Sequence, residues 1–265
     1  MQFNVQSSKF GNIVLTVATF LLFSTIVLTR SLLALTDTDI EFYQKVIAEM
    51  PLGERIASWA ERFVGVPYDP DPAGEYVTRK VIVEDERVDC MYLSFRTVEL
   101  ALSHTPEEAV QVALDKRFVH KGTVSSGIVT NYCDRFQYGE DMLDSGKWGV
   151  EITANVGPLS TITGSRGRER VPMVSKEALI RKMREPSVLG LRSGDFIFFV
   201  KIPDKRVYGE IVGHIGIIKV DGKDIYLIHA GGEKNKGGSV KKVLFSNYVR
   251  AMPFAGIRVS RFLSP

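Results

Sequence analysis

The sequence predicts a single α+β domain, with helices first and an antiparallel sheet after them. Three observations carry that expectation. Apolar residues recur at helical spacing between Ile40 and Leu102. Runs rich in β-branched and aromatic residues, bounded by Gly, Pro and Asp, fill the chain after Phe196. Asp221-Gly222 joins two of those runs as a tight hairpin turn would. With 265 residues the chain can bury one generous core. Its 45% hydrophobic and 25% charged residues exclude a disordered, collagen-like or multi-span membrane protein. Neither an internal repeat nor a low-complexity linker interrupts it.

Residues 1–34 are set apart from the fold. Lys9 precedes the apolar run Ile13 to Leu28, and the segment holds no acid, which is the pattern of an export signal. Ala34 follows Leu32 and Leu33 without a small-x-small cleavage pattern, so both a removed signal peptide and an uncleaved membrane anchor are open. Either reading places residues 35–265 in an exported compartment. The formal charge is +3, and two of the bases, Lys9 and Arg30, belong to the leader. The rest is close to neutral, which argues against a nucleic-acid binder and its concentrated basic face.

Taken in order, Thr38 with Glu41 fits a capping box opening a helix through Ile40, Tyr43, Val46 and Ile47, ended by Pro51. A second helix from about Leu52 to Phe63 buries Ile56, Trp59 and Phe63. Gly65-Val66-Pro67-Tyr68 opens a loop, and Val77 to Val83 reads as extended. An apolar helix starts at Asp89-Cys90 and carries Met91, Phe95, Val98 and Leu102 on one face. Phe196 to Ile202, Ile211 to Val220, Asp224 to His229 and Ile257 to Phe262 read as strands.

Gly213 to Ala230 is the most informative stretch. A type I′ turn at Asp221-Gly222 pairs Val220 with Lys223, so His214 falls directly opposite His229 on one face, with Cβ atoms about 4.5–5.5 Å apart. A four-residue loop would shift this register and separate them. Two of the four histidines then meet at one point, either as a packed, hydrogen-bonded pair or as part of a reactive centre. A metal would need a third ligand, and no His-x-x-x-His or nearby Cys pair supplies one. Cys90 is the better complement. Asp89 is a good cap, so the thiol sits at a helix N-terminus, where the dipole and a nearby imidazole lower its pKa. Cys90 is then the nucleophile, His214 its base and His229 the residue that orients the base. Two plainer readings stand beside this: an inert buried thiol, or a disulfide to Cys133.

In chain order, Gly65-x-Pro67-Tyr68, Asp89-Cys90 opening a helix, Ser193-Gly194-Asp195 entering a strand, Gly213-His214-x-Gly216 and His229-Ala230 resemble the NlpC-type papain-like cell-wall amidases and peptidases. Arg135-Phe136-Gln137-Tyr138 with an acid after it, Glu151-Ile152-Thr153 and Gly256-Ile257-Arg258 bring the match closer to the N-acetylmuramoyl-L-alanine amidase-like branch. The resemblance covers roughly Phe63 to Leu263. It implies a papain-like fold in which a helical layer carrying Cys90 packs on an antiparallel sheet carrying both histidines. It also implies a cysteine amidase without metal or cofactor, acting on peptidoglycan or muropeptides in the periplasm or cell envelope. Tyr68 would donate to the oxyanion beside the Cys90 N–H. The favoured bond joins the lactyl group of N-acetylmuramic acid to L-alanine. Alternatives are cleavage between D-glutamate and the third stem residue, or a non-catalytic envelope-binding module. Tyr92, where a small hydroxyl residue is expected, and the long acidic loop Asp69 to Val88 depart from the family and are expected near the substrate entrance.

Arg135 and Tyr138 are candidates for binding a sugar or a peptide carboxylate, set against an ordinary surface strand. Arg166, Arg168 and Arg170 read as a solvated loop, and Asp195 as a turn residue. His104 and His120 read as surface positions without companions.

Overall fold

The computed structural model describes residues 35–183 and 189–263, so the leader expected over 1–34 lies outside the described residues. Helix α1 spans Asp37–Ile47 and α2 spans Leu52–Arg62. The capping box of α1 is formed by Thr36 and Asp39, two residues before the expected Thr38 and Glu41. Both pairs satisfy the pattern, and the earlier one sets Ile40, Gln44 and Ile47 on the inward face. Val46 accordingly points out and is 55% exposed. The helix stops at Ile47, and Pro51 caps α2 instead of ending α1. Ile56, Trp59 and Phe63 are buried as the periodicity predicts.

The stretch from Val77 to Val83 is not extended. Asp69 and Asp71 accept from the backbone N–H groups of Asp71, Ala73, Gly74 and Glu75, coiling the loop into a short helix, α3, Glu75–Thr78. These side-chain turns, with Tyr76 driven into the core, override the β-propensity of the valines. Helix α4, Cys90–Ala101, is capped by Asp89, whose carboxylate accepts from the Tyr92 N–H at 2.8 Å. It is buried all round from Tyr92 to Ala101, enclosed by α2, the sheet and α5, Pro106–Lys116. Its interior charges are paired: Arg96 with Asp85 at 3.0 Å and Glu99 with Arg117 at 2.6 Å.

The short strands β1, Val124–Ser125, and β2, Ile128–Val129, form a separate hairpin. Then come α6, Gly139–Asp144, β3, Val150–Glu151, α7, Thr153–Val156, β4, Leu159–Thr163, β5, Arg170–Ser175, and α8, Lys176–Lys182. The chain closes with β6, Phe196–Lys201, β7, Val212–Asp221, β8, Asp224–Glu233, β9, Gly237–Leu244, α9, Phe245–Ala251, and β10, Phe254–Arg261. The sheet runs β4-β5-β10-β6-β7-β8-β9, antiparallel throughout, with β3 added to β10. This is the α+β class the sequence predicts, with one more layer. Phe196, Phe198, Ile215, Ile217 and Ile228 face the α2 and α4 side. Ile197, Phe199, Ile218, Leu227 and Ile257 pack with residues of α8 and α9 on the other. Burial on both faces explains why Phe196 to Val200 is an unbroken apolar run.

The β7–β8 turn corrects the expected register. Asp221 pairs with Asp224 and Val220 with Ile225, so the turn residues are Gly222 and Lys223. Only Gly222 has positive φ, at 57°, which fits a turn with glycine first rather than a type I′ turn. The sequence motifs Glu151-Ile152-Thr153 and Gly256-Ile257-Arg258 meet across this sheet. Arg258 donates to both Glu151 oxygens at 3.0 and 2.8 Å, and the Val259 N–H donates to Thr153 Oγ1 at 2.9 Å.

Candidate active site

His214 and His229 do meet, although not by the expected pairing. In the observed register they are diagonal neighbours, two positions out of opposition, so both stay on one face. A diagonal offset is within reach of ring side chains. His214 Nε2 lies 3.0 Å from His229 Nδ1, with the rings at 89°. The expectation that a changed register separates them is therefore overturned, because an even shift conserves the face. A β-bulge at Gly213 contributes to the aim: Phe199 pairs with His214 and Val200 with Val212, leaving Gly213 extra.

The ladder between β7 and β8 ends at Ile217–Ile228, and beyond it β7 pairs with β6 and β8 with β9. The N-terminus of α4 meets the sheet at this opening. Cys90, His214, Ile215, Tyr68, Arg135 and Tyr138 line one cavity of about 420 Å³. His229 is buried behind His214. All six sequence-predicted site residues thus gather in or behind one cavity. The His214 ring is enclosed by rings of Phe199 at 5.8 Å, Tyr248 at 6.2 Å and Phe254 at 6.4 Å, and its side chain hydrogen-bonds His229 alone among the described residues. Its Nε2 is thereby committed, which leaves Nδ1 as the nitrogen able to exchange a proton.

The electrostatics differ from expectation. Burial, and then the neighbouring Asp89 carboxylate, push the Cys90 thiol up to about 12, although the Ile215 N–H, Lys234 and its own N–H oppose the rise. Burial likewise lowers His214 to about 3, assisted by His229, and His229 to about 4, assisted by Lys241. Burial thus disfavours charge on the thiol and on both imidazoles. Burial, with Cys90, Asp89 and Asp69 nearby, also raises Tyr68, whose hydroxyl has no hydrogen-bond partner among the described residues. Both cysteines are free, so the disulfide reading is set aside.

Other expectations are corrected. Tyr92 lies away from any entrance: it is 1% exposed, accepts from the Glu84 N–H at 2.6 Å and donates to Asp85 at 2.8 Å. The Asp69 to Val88 loop does reach the cavity, through Pro72, Ala73 and Tyr76. Arg166 and Arg168 are not a solvated loop; they pair with Asp141 at 2.9 Å each, and Arg166 covers the Tyr138 ring at 3.5 Å. Asp195 is the turn residue the sequence predicts, its N–H donating to the Arg192 carbonyl at 3.1 Å and its carboxylate accepting from the Arg192 N–H at 2.8 Å, and it is also fully buried against Arg261. His120 has a companion, Asp134, at 2.9 Å. Arg135 donates to the Tyr132 carbonyl at 3.1 Å and lines the cavity.

Two contributors carry no local sequence signal. Tyr248 on α9 packs its ring 4.8 Å from that of His229. Lys234, in the β8–β9 turn, reaches Asp89 at 3.0 Å and the Asp69 carbonyl at 3.2 Å. Among the described residues no cluster of three His, Cys, Asp or Glu is arranged to hold a metal.

No family model and no curated protein matches this chain. Solved structures do. An N-acetylmuramoyl-L-alanine amidase from Bacteroides uniformis is 18% identical, with a TM-score of 0.61 over 80% of this chain and 99% of its own. A Legionella pneumophila protein of the DUF1460 family is 14% identical, with a TM-score of 0.62 over 86% and 96%. A Bacteroides fragilis protein whose name proposes a xylanase is 19% identical, with a TM-score of 0.57 over 77% and 98%. At such identities the likeness is one of fold, and this chain shares the α+β fold common to these proteins.

Proposed function

We propose that this protein is an exported, papain-like cysteine amidase of the NlpC type that cleaves the N-acetylmuramoyl to L-alanine bond of peptidoglycan fragments. The observation that carries the reading is the cavity itself: a thiol at a helix N-terminus shares it with His214, whose far nitrogen is held by His229. The amidase name of one fold neighbour supports the substrate class.

In this reading Cys90 Sγ bonds to the lactyl carbonyl carbon while His214 Nδ1 takes the thiol proton. The oxyanion is held by the Tyr68 hydroxyl and the Cys90 backbone N–H. Collapse breaks the C–N bond, and the proton passes from His214 to the leaving amine of alanine. Water, deprotonated by His214, then attacks the thioester, and the thiol leaves with that proton. His229 keeps the His214 ring in the productive orientation, and Arg135 and Tyr138 hold the substrate.

A second reading is an envelope-binding module without turnover, favoured by the burial that disfavours charge on both Cys90 and His214. Incubation with defined muropeptides followed by mass spectrometry separates the possibilities. Release of the intact stem peptide from the muramyl group supports the amidase, and a cut after D-glutamate supports the endopeptidase. Tight binding without product supports the module.

A further inference from the structure

Asp89 has two incompatible duties. One carboxylate oxygen caps α4 through the Tyr92 N–H, yet the same carboxylate stands one residue from Cys90, where its charge opposes a thiolate. The other oxygen is not left bare. Lys234, from the turn between β8 and β9, places Nζ 3.0 Å from Asp89 Oδ2, in a pair whose side chains are 30% and 11% exposed. The same ammonium donates to the Asp69 carbonyl at 3.2 Å and lies 5.5 Å from the centre of the Tyr68 ring. One cation therefore ties together the helix cap, the Tyr68 loop and the second hairpin, all at the rim of the cavity that holds the thiol.

We propose that Lys234 is a positioning residue of this site: by pairing with Asp89 it lets α4 keep its carboxylate cap while relieving Cys90 of that charge, and it anchors Tyr68 beside the thiol. The inference deepens the cysteine-amidase reading and rests on Cys90 being its nucleophile. The charged and titratable groups around the thiol are Asp89 and Lys234, Tyr68, Asp69 and Tyr76 from the preceding loop, His214 from β7 with His229 behind it, and Tyr248 from α9, with Arg135, Tyr138, Lys201, Tyr208 and Glu210 farther along the cavity wall. Lys234 is the cation whose ion pair is with Asp89 itself.

The test uses the full chain carrying Cys133→Ser, so that Cys90 alone reports, and follows iodoacetamide labelling from acid to alkaline pH. Lys234→Met should lower the labelling rate about tenfold or more at every pH below the thiol's transition, which is how a profile moved towards higher pH reads. Lys234→Arg should keep it near the parent. Adding Asp89→Asn to Lys234→Met should move the profile back, because the charge being cancelled is gone; a purely structural role would leave the double variant no better than the single one. An unchanged profile in Lys234→Met, or no recovery in the double variant with circular dichroism intact, overturns the proposal. Labelling needs no substrate. A parent that labels as described but releases no product therefore counts against the amidase reading and not against the role of Lys234.

Discussion

His214 and His229 are joined by a 3.0 Å hydrogen bond across a β-hairpin that stops pairing before it reaches them. Where the ladder has ended, Cys90 at the N-terminus of α4 lines the same cavity as His214. For His214 Nδ1 to accept a proton, its Nε2 must carry hydrogen and donate to His229 Nδ1, which assigns the tautomers of both rings. His214→Ala should lower turnover of muropeptides by about 10²- to 10⁴-fold. His229→Ala should cost less, because an orienting residue carries no proton in the reaction. Equal activity in both variants and the parent would remove the histidines from the mechanism.

Cys90→Ser should abolish product formation and leave the melting temperature nearly unchanged. Cys133→Ser should retain activity, because Cys133 is an exposed free thiol. Full turnover by Cys90→Ser would end the covalent mechanism, and a mass gain of two hydrogens on reduction of the parent would contradict the free cysteines.

Acid stability reports the buried histidines. In the folded protein burial holds His214 at about 3 and His229 at about 4, against about 6.5 in the unfolded chain. Between these values the unfolded chain binds protons that the folded protein does not. Stability is therefore lost as pH falls from about 6.5 towards 4, by up to about 1.4 kcal/mol per pH unit for each histidine. Urea midpoints measured at pH 7, 6, 5 and 4 should fall less steeply in a His214→Gln/His229→Gln variant. Glu84 and Asp195, raised by burial, contribute equally to both proteins and cancel in the comparison. Parallel slopes would contradict the assignment.

Gly232 allows Tyr68 to sit where it does. A Cβ added there would stand 2.2 Å from Tyr68 Cγ and 2.7 Å from its Cβ, too near the root of the side chain for a rotamer change to relieve. Gly232→Ala should cost about 1–3 kcal/mol by overpacking and reduce activity with it. Differential scanning calorimetry beside a muropeptide assay measures both, and a fully active, equally stable variant would show that Tyr68 is not held there.

Arg117 is fully buried, bidentate with Glu99 at 2.6 and 2.7 Å, and donates to the Ile82 carbonyl at 2.7 Å. It braces the loop that leads into Cys90. Arg117→Met leaves Glu99 with only the distant Arg96 contact at 3.8 Å, and should destabilise the fold by about 3–5 kcal/mol in urea denaturation. A loss under 1 kcal/mol would mean that the pair is not the brace.

What was legible in the sequence is what depends on near neighbours. The Asp89 cap and the position of Cys90 at a helix start follow from residues three apart, and that helix forms as expected. The shared face of His214 and His229 survives a wrong register because strand periodicity is two and the observed error was itself even. The choice between Thr36 and Thr38 as cap, the coiling of the Asp69 to Val88 loop, and the placement of the turn at Gly222-Lys223 were not legible. In each, two local solutions lie within about a kcal/mol, and burial of Ile40, Tyr76 or the paired strands selects one. Only the tertiary structure decided how the site is charged and held. Lys234 and Asp89 are separated by 145 residues, and His229 and Tyr248 approach through the packing of α9 on the sheet. The burial that raises the thiol and lowers both imidazoles depends on every layer around them, so no local pattern in the chain records it.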